Sequence, residues 1–249
     1  MLRKAIITGY SRGLGAAISQ ELQQQGFQVL GLARQPSQEA ACNVCVSLDL
    51  ADSQALSNWL ANGQLASFLA DAGQAVLINN AGTVQPIGPA GSHAAADVLR
   101  ALALNVAAPL LLSDAFIAAS SHCPDRRILH VSSGAGRHAY PGWNLYCAGK
   151  AALDRHAEAV AQEQQAGLRI ASLAPGVIDT DMQGEIRACQ DTQFPLRSRF
   201  VELKARGQLS SPANAAAGTV AYLLGEHFGT PPLADLRELT PSSKKQQNQ

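Results

Sequence analysis

The chain lacks any uninterrupted apolar run of the roughly 18 residues that a membrane-spanning helix needs, so a membrane protein is not expected. It also lacks an excess of either charge. Nineteen basic and nineteen acidic residues cancel, which removes any general attraction to nucleic acid or anionic lipid. The opening MLRKAIITGY enters a strand-like run directly, with neither the apolar length nor the cleavage site of a secretory signal. A cytoplasmic location is therefore the expectation. Cysteine is sparse: Cys42, Cys45, Cys123, Cys147 and Cys189. An odd count in such a chain argues against a disulfide framework. Cys42 and Cys45 form C-x-x-C, but they lead into the strand-like CVSLDL rather than opening a helix, where a thiolate would be stabilised. Further zinc ligands at suitable spacing are missing. Both cysteines are expected to be structural, and no metal is expected.

What is present is apolar content of 47% over 249 residues, a length that α/β folds often reach as one domain. Strand-like and helical patterns alternate. Strands are expected at residues 4–8, 28–33, 44–48, 75–79, 127–131 and 168–173. Helices are expected at 13–25, at 53–70 with a possible break at Gly63, at 97–120 despite Pro109, and at 145–165. Nearly continuous apolar strands between helices imply a parallel sheet covered on both faces. Right-handed crossovers then give a single-domain, Rossmann-type, doubly wound α/β fold over residues 1–239. In such sheets ligands bind beyond the carboxyl ends of the strands.

The first such end reads Thr8-Gly9-Tyr10-Ser11-Arg12-Gly13-Leu14-Gly15. Its glycines allow a tight turn and a close approach to a pyrophosphate at a helix N-terminus. The spacing is G-x-x-x-G-x-G, not the general G-x-G-x-x-G. Further on, Tyr146 and Lys150 stand four apart in a helical stretch, with Ser133 thirteen residues before the tyrosine. That spacing puts Tyr146 and Lys150 on one helical face. A nearby cation lowers a phenol's pKa and makes Tyr146 a candidate general acid toward a carbonyl oxygen.

Taken together these motifs resemble the short-chain dehydrogenase/reductase family. T-G-x-x-x-G-x-G matches its cofactor turn, and Asn79-Asn80-Ala81-Gly82 matches its N-N-A-G turn. Asn105, Ser133, Tyr146 and Lys150 match its catalytic set, and Pro175-Gly176 matches its P-G turn; the matches run in family order over residues 3–182. The segments 142–152, 174–183 and 202–209 are further similar to the sepiapterin reductase and benzil reductase subgroup. The resemblance implies reduction of a ketone or diketone by hydride transfer from a nicotinamide. Ser133 would bind the carbonyl oxygen and Tyr146 would protonate it. Lys150 would lower the Tyr146 pKa and hold the ribose, and Asn105 would anchor a water. Gly9, Ser11, Arg12, Gly13, Leu14, Gly15, Asn80, Ala81, Gly82, Pro175, Gly176, Val177 and Thr180 would hold the cofactor. Asp49, with Leu50 beside it, would contact the adenine.

Charge decides the cofactor. The second strand ends Leu32-Ala33-Arg34, with no acid until Glu39. Arg34 and Arg12 suit a 2′-phosphate, so NADP(H) is expected. Trp143 is either a pocket wall that stacks on a flat substrate or a core residue. Met182 and Asp235 are the other substrate candidates, Asp235 as a pterin anchor. Residues 179–210 are expected to form a helical flap, and 240–249 to be disordered. His130 and His138 are read as structural. The resemblance further implies a homodimer or homotetramer. The alternatives are a diketone reductase with no pterin role, or a non-catalytic NADP-sensing protein.

Overall fold

The run Lys4 to Thr8 is buried throughout, as a strand covered on both faces must be. This strand, β1 (Leu2–Thr8), pairs in parallel with β2 (Gln28–Ala33) on one side and β4 (Ala72–Asn79) on the other. β3 (Val44–Ser47) extends the sheet beyond β2; β5 (Asp125–Val131), β6 (Leu168–Ala174) and β7 (Leu233–Asp235) extend it beyond β4. The order is β3-β2-β1-β4-β5-β6-β7, all parallel. The chain thus reverses direction between β3 and β4, and the carboxyl ends of β1 and β4 face a common crevice. The structure, a computed structural model, describes residues 1–36 and 42–239. Glu39 and the tail 240–249 lie outside the described residues.

Alternation along β1 splits the core. Ala5 and Ile7 join α1 (Gly13–Gln24) and α9 (Pro212–Leu224) through Ile18, Leu22, Val220 and Leu223. Ile6 faces the other way, with Leu30, Leu77 and Ile128. On that face it meets α2 (Ser53–Ala61), α3 (Gln64–Leu69), α5 (Ala108–Ala119) and α6 (Asn144–Gln162). α4 (Ala95–Leu102) leads through a π-helical segment, Ala103–Ala107, into α5. Pro109 falls in the first turn of α5, where its missing N–H costs little. The continuous helix Ala95–Ala119 has mean hydropathy 1.8 in its most apolar stretch, enough by length and composition to cross a membrane. Here its inner face packs Ala108, Leu112 and Phe116 into the sheet core.

The structure departs from the sequence reading in several places. Gly63, at φ +80°, divides residues 53–70 into two helices. A seventh strand, β7, and the helix α9 were not anticipated. The expected flap forms two helices, α7 (Asp181–Ala188) and α8 (Arg197–Ala205). Cys42 and Cys45 close a disulfide at the start of the edge strand β3, with Cα atoms 5.9 Å apart. An odd count excludes complete pairing but not one local loop. Cys123, Cys147 and Cys189 remain free.

Candidate active site

A cleft of about 1040 Å³ runs along the carboxyl ends of the strands. One end is built from the turn after β1. Gly9 (φ +68°) and Gly13 (φ +57°) hold a left-handed backbone, and a Cβ on Gly15 would lie 2.1 Å from the Gly9 carbonyl oxygen. Asn80 fixes this turn against β4, its side-chain amide donating to the Thr8 and Gly9 carbonyls (2.9 and 3.2 Å). Among the described residues no side chain caps α1, so its N-terminal N–H groups are open to an anion. Ser11, Arg12, Leu14, Ala81, Gly82, Pro175, Gly176, Val177 and Thr180 line the same end. These features fit a dinucleotide.

Arg34 is exposed on the cleft wall. Arg12 reaches across the cleft to Asp181, the first residue of α7, at 3.1 Å. Asp49 and Leu50 line the wall, and Asp49 accepts from the Ala51 N–H and from Arg100 (2.8 Å). Burial pushes the Asp49 carboxyl up, but the Arg100 hydrogen bond and nearby arginines hold it below its ordinary value. Arg100 carried no motif and was not foreseen.

The catalytic candidates meet at the centre. Ser133, Tyr146 and Lys150 all line the cleft. The Ser133 hydroxyl accepts from the Ala135 N–H at 3.2 Å and acts on the Tyr146 phenol in the sense that favours its charged form. The neighbouring Ser132 hydroxyl has no partner among the described residues. Lys150 Nζ donates to the Val131 carbonyl at 2.7 Å and sits 5.6 Å from the centre of the Tyr146 ring. Asn105 lies in the π-helical segment, and both ends of its amide are engaged by the Thr83 main chain (2.8 and 2.9 Å). What it does in this structure is fix the turn after β4.

The expected depression of the Tyr146 pKa is not found. Burial pushes the phenol up to about 12, and the Ser133 hydroxyl only partly offsets it. Burial, the largest effect on the phenol, is not offset by the lysine 5.6 Å from the ring centre. Lys150 is itself lowered by burial to about 8. His130, with Asn79 and His156 at hydrogen-bond distance, is fully buried and lowered by burial to about 3.

These shifts set a stability profile. Between pH 8 and 10.5 the unfolded lysine binds a proton that the folded one has lost, so stability rises with pH. Above pH 10 the raised Tyr146 acts the other way, as the unfolded phenol loses its proton first. Wild type should gain roughly 2–3 kcal/mol relative to Lys150→Met on going from pH 7.5 to 10. Urea unfolding of both proteins checks this, and parallel curves would sink it.

The other end of the cleft is aromatic. Trp143 is both wall and core. It lines the cleft, yet one face stacks on Phe194 at 4.4 Å, and its edge contacts bring Tyr146, Tyr140 and Phe200 within 5.5 Å. Met182, Ile186 and Leu203 complete this wall from the flap helices. Asp235 does not line the cleft. It is buried at the end of β7, and its carboxylate accepts from Arg237 Nε (2.9 Å) and Nη2 (2.5 Å). The wall at that point is Arg237. A lone Asp in the sequence gave no sign that an arginine two residues on would claim it.

Comparison with known proteins agrees with this geometry. Residues 3–191 match the family model described as short chain dehydrogenase. A benzil reductase ((S)-benzoin forming) of Bacillus cereus is 34% identical over 242 residues, covering 91% of this chain and 96% of that protein. Sepiapterin reductase of Rattus norvegicus is 30% identical over 243 residues, covering 90% and 92%. The crystal structure of a short-chain dehydrogenase/reductase from Burkholderia vietnamiensis is 43% identical, covers 95% of this chain and 98% of its own, and superposes with a TM-score of 0.68. With a glycine turn, a serine–tyrosine–lysine centre and relatives matched nearly end to end, the chain belongs to the short chain dehydrogenase family, as an oxidoreductase of carbonyl and CH–OH groups in the benzil and sepiapterin reductase-like subgroup.

Proposed function

We propose that this chain reduces a ketone or 1,2-diketone with NADPH. The observation that carries the reading is the meeting of Ser133, Tyr146 and Lys150 in one cleft with the uncapped helix behind the glycine turn. A nicotinamide dinucleotide held by the glycine turn, Asn80 to Gly82 and Lys150 would supply the hydride for the carbonyl carbon. The chain supplies the rest. Ser133 donates to the carbonyl oxygen as it gains charge. Tyr146 Oη gives that oxygen its proton, so the C=O bond becomes CH–OH. Lys150 stabilises the resulting phenolate through its charge. The aromatic wall excludes water and packs against an apolar substrate.

Two substrates are in view, a pterin ketone and an aryl diketone. The engagement of Asp235 by Arg237 and the aromatic lining favour the diketone. The test is NADPH oxidation with benzil and with sepiapterin in parallel. Benzil turnover alone is expected; turnover of sepiapterin alone would reverse the choice, and turnover of neither, with NADPH bound, would favour a non-catalytic sensor.

Arg34, exposed at the end of β2, supports the choice of NADPH. Arg34→Asp should raise the KM for NADPH by roughly 10–100-fold, the worth of one charged hydrogen-bond partner, and leave that for NADH within a few-fold. Equal changes for both cofactors would remove Arg34 from the 2′-phosphate site. The same reading makes the protein a homodimer, supported by the exposed Leu99, Leu102 and Leu111 on α4 and α5. Light scattering should give twice the chain mass, and a one-chain mass would overturn it.

A further inference from the structure

Asp154 lies one helical turn beyond Lys150 on α6 and is only 5% exposed. A carboxylate so buried requires compensation. Its Oδ1 accepts from Ser172 Oγ on β6 at 2.6 Å. Its Oδ2 has no hydrogen-bond partner among the described residues. The nearest ion-pair partner is Arg137 Nε, at 3.5 Å and outside hydrogen-bond geometry. Arg137 is shared. It donates to the main-chain carbonyls of Ala234 (2.9 Å) and Ser172 (3.4 Å), and its charge also acts on Asp235. Asp154 is therefore incompletely compensated on the side of Arg137.

Lys150 has the complementary deficit. Its ammonium is buried and donates to one carbonyl, that of Val131. The groups that face it are few. Tyr146, a neutral phenol, lies one turn before it on α6. From β5 come the Val131 carbonyl and His130, which is neutral. Asn105 belongs to the π-helical segment, and Ser133 to the loop after β5. Ser172 on β6 and Arg137 contact Asp154. Among these groups Asp154 is the one anion: it stands four residues on along the same face of α6, without a direct ion pair to the lysine, and its charge works against the burial that lowers Lys150.

We propose that Asp154 is the counter-charge of Lys150, a positioning residue that keeps the ammonium charged in the cleft while Ser172 fixes the carboxylate and Arg137 competes for it. Tyr146, Lys150 and Asp154 then form a row along one face of α6: proton donor, cation, anion. Arg137 and Asp235 continue the alternation to Arg237 on the far wall of the cleft. The inference rests on the reductase reading only for its consequence for turnover.

The test separates charge from anchoring. Asp154→Asn removes the charge; Ser172→Ala removes the hydrogen bond and leaves the charge. The first readout is the pH dependence of Lys150 acylation by a small amine-reactive ester, followed by peptide mass spectrometry, which needs no turnover. Asp154→Asn should move the Lys150 midpoint down by about one pH unit, and Ser172→Ala should leave it in place. In benzil reduction the alkaline limb of kcat should move with it, lowering kcat at pH 8 several-fold with little change in KM. Arg137→Gln releases the carboxylate from its competitor and should move the midpoint up, which keeps the test available if Asp154→Asn fails to fold. Midpoints unmoved by both charge variants would overturn the proposal and leave Asp154 as a tie between α6 and β6. A shifted midpoint in a protein that reduces nothing would overturn the reductase reading and leave this one standing.

Discussion

Tyr146→Phe should lower kcat by about 10³-fold with benzil as substrate, within the range set by loss of a positioned proton donor. The substitution removes one oxygen and keeps the ring. That ring lies edge-on to Trp143 at 5.4 Å and beneath Lys150, so neither the aromatic wall nor the lysine loses its contact. NADPH affinity and thermal stability should stay close to wild type. The raised phenol pKa sharpens the expectation. A phenol pushed up by burial keeps its proton through the neutral range and is a donor there. Loss of activity in alkaline solution therefore reports the lysine charge, near pH 8, rather than the tyrosine. A Tyr146→Phe protein with kcat within tenfold of wild type would remove Tyr146 from the chemistry.

Gly15→Ala should be nearly as damaging by a different route. Its Cβ would lie 2.1 Å from the Gly9 carbonyl oxygen and 2.5 Å from Asn80 Nδ2. Neither neighbour is free to move. Gly9 turns at positive φ, and the Asn80 amide is committed to the Thr8 and Gly9 carbonyls. The turn after β1 must then open, and with it the N-terminus of α1. NADPH affinity should fall by about 100-fold, and stability by about 2–3 kcal/mol, the cost of overpacking a close contact. Fluorescence titration with NADPH and urea unfolding measure the two. Affinity within threefold of wild type would show that the turn does not hold the phosphates.

The sheet was legible because a buried parallel strand writes itself as an apolar run, as in Lys4 to Thr8 and Ala75 to Asn79. The catalytic centre was legible because Tyr146 and Lys150 share one helix, where sequence spacing is spatial spacing. β7 was not, because three residues carry no periodicity and its place is set by pairing with β6. The compensation of charge was not legible either. Whether Asp235 faces a substrate or an arginine, and whether Asp154 balances Lys150, depends on which loops arrive beside them. The Tyr146 pKa failed for the same reason. Spacing gives the direction of a neighbour, but burial decides which effect on a phenol is larger.

The order of the strands gives the two ends of the cleft different authors. The glycine turn, Arg34 and Asp49 come from the first 50 residues, attached to β1, β2 and β3. Met182, Ile186, Leu203 and Arg237 come from beyond residue 175, attached to β6 and β7 at the opposite side of the sheet. The central segment with Ser133, Tyr146 and Lys150, and the turn after β6 from Pro175 to Asp181, lie between the two and touch both. Exchanging everything after Asp181 with that of a related reductase should therefore transplant substrate range as a block and leave cofactor choice untouched, because the seam then falls beyond the turn that meets the glycine loop.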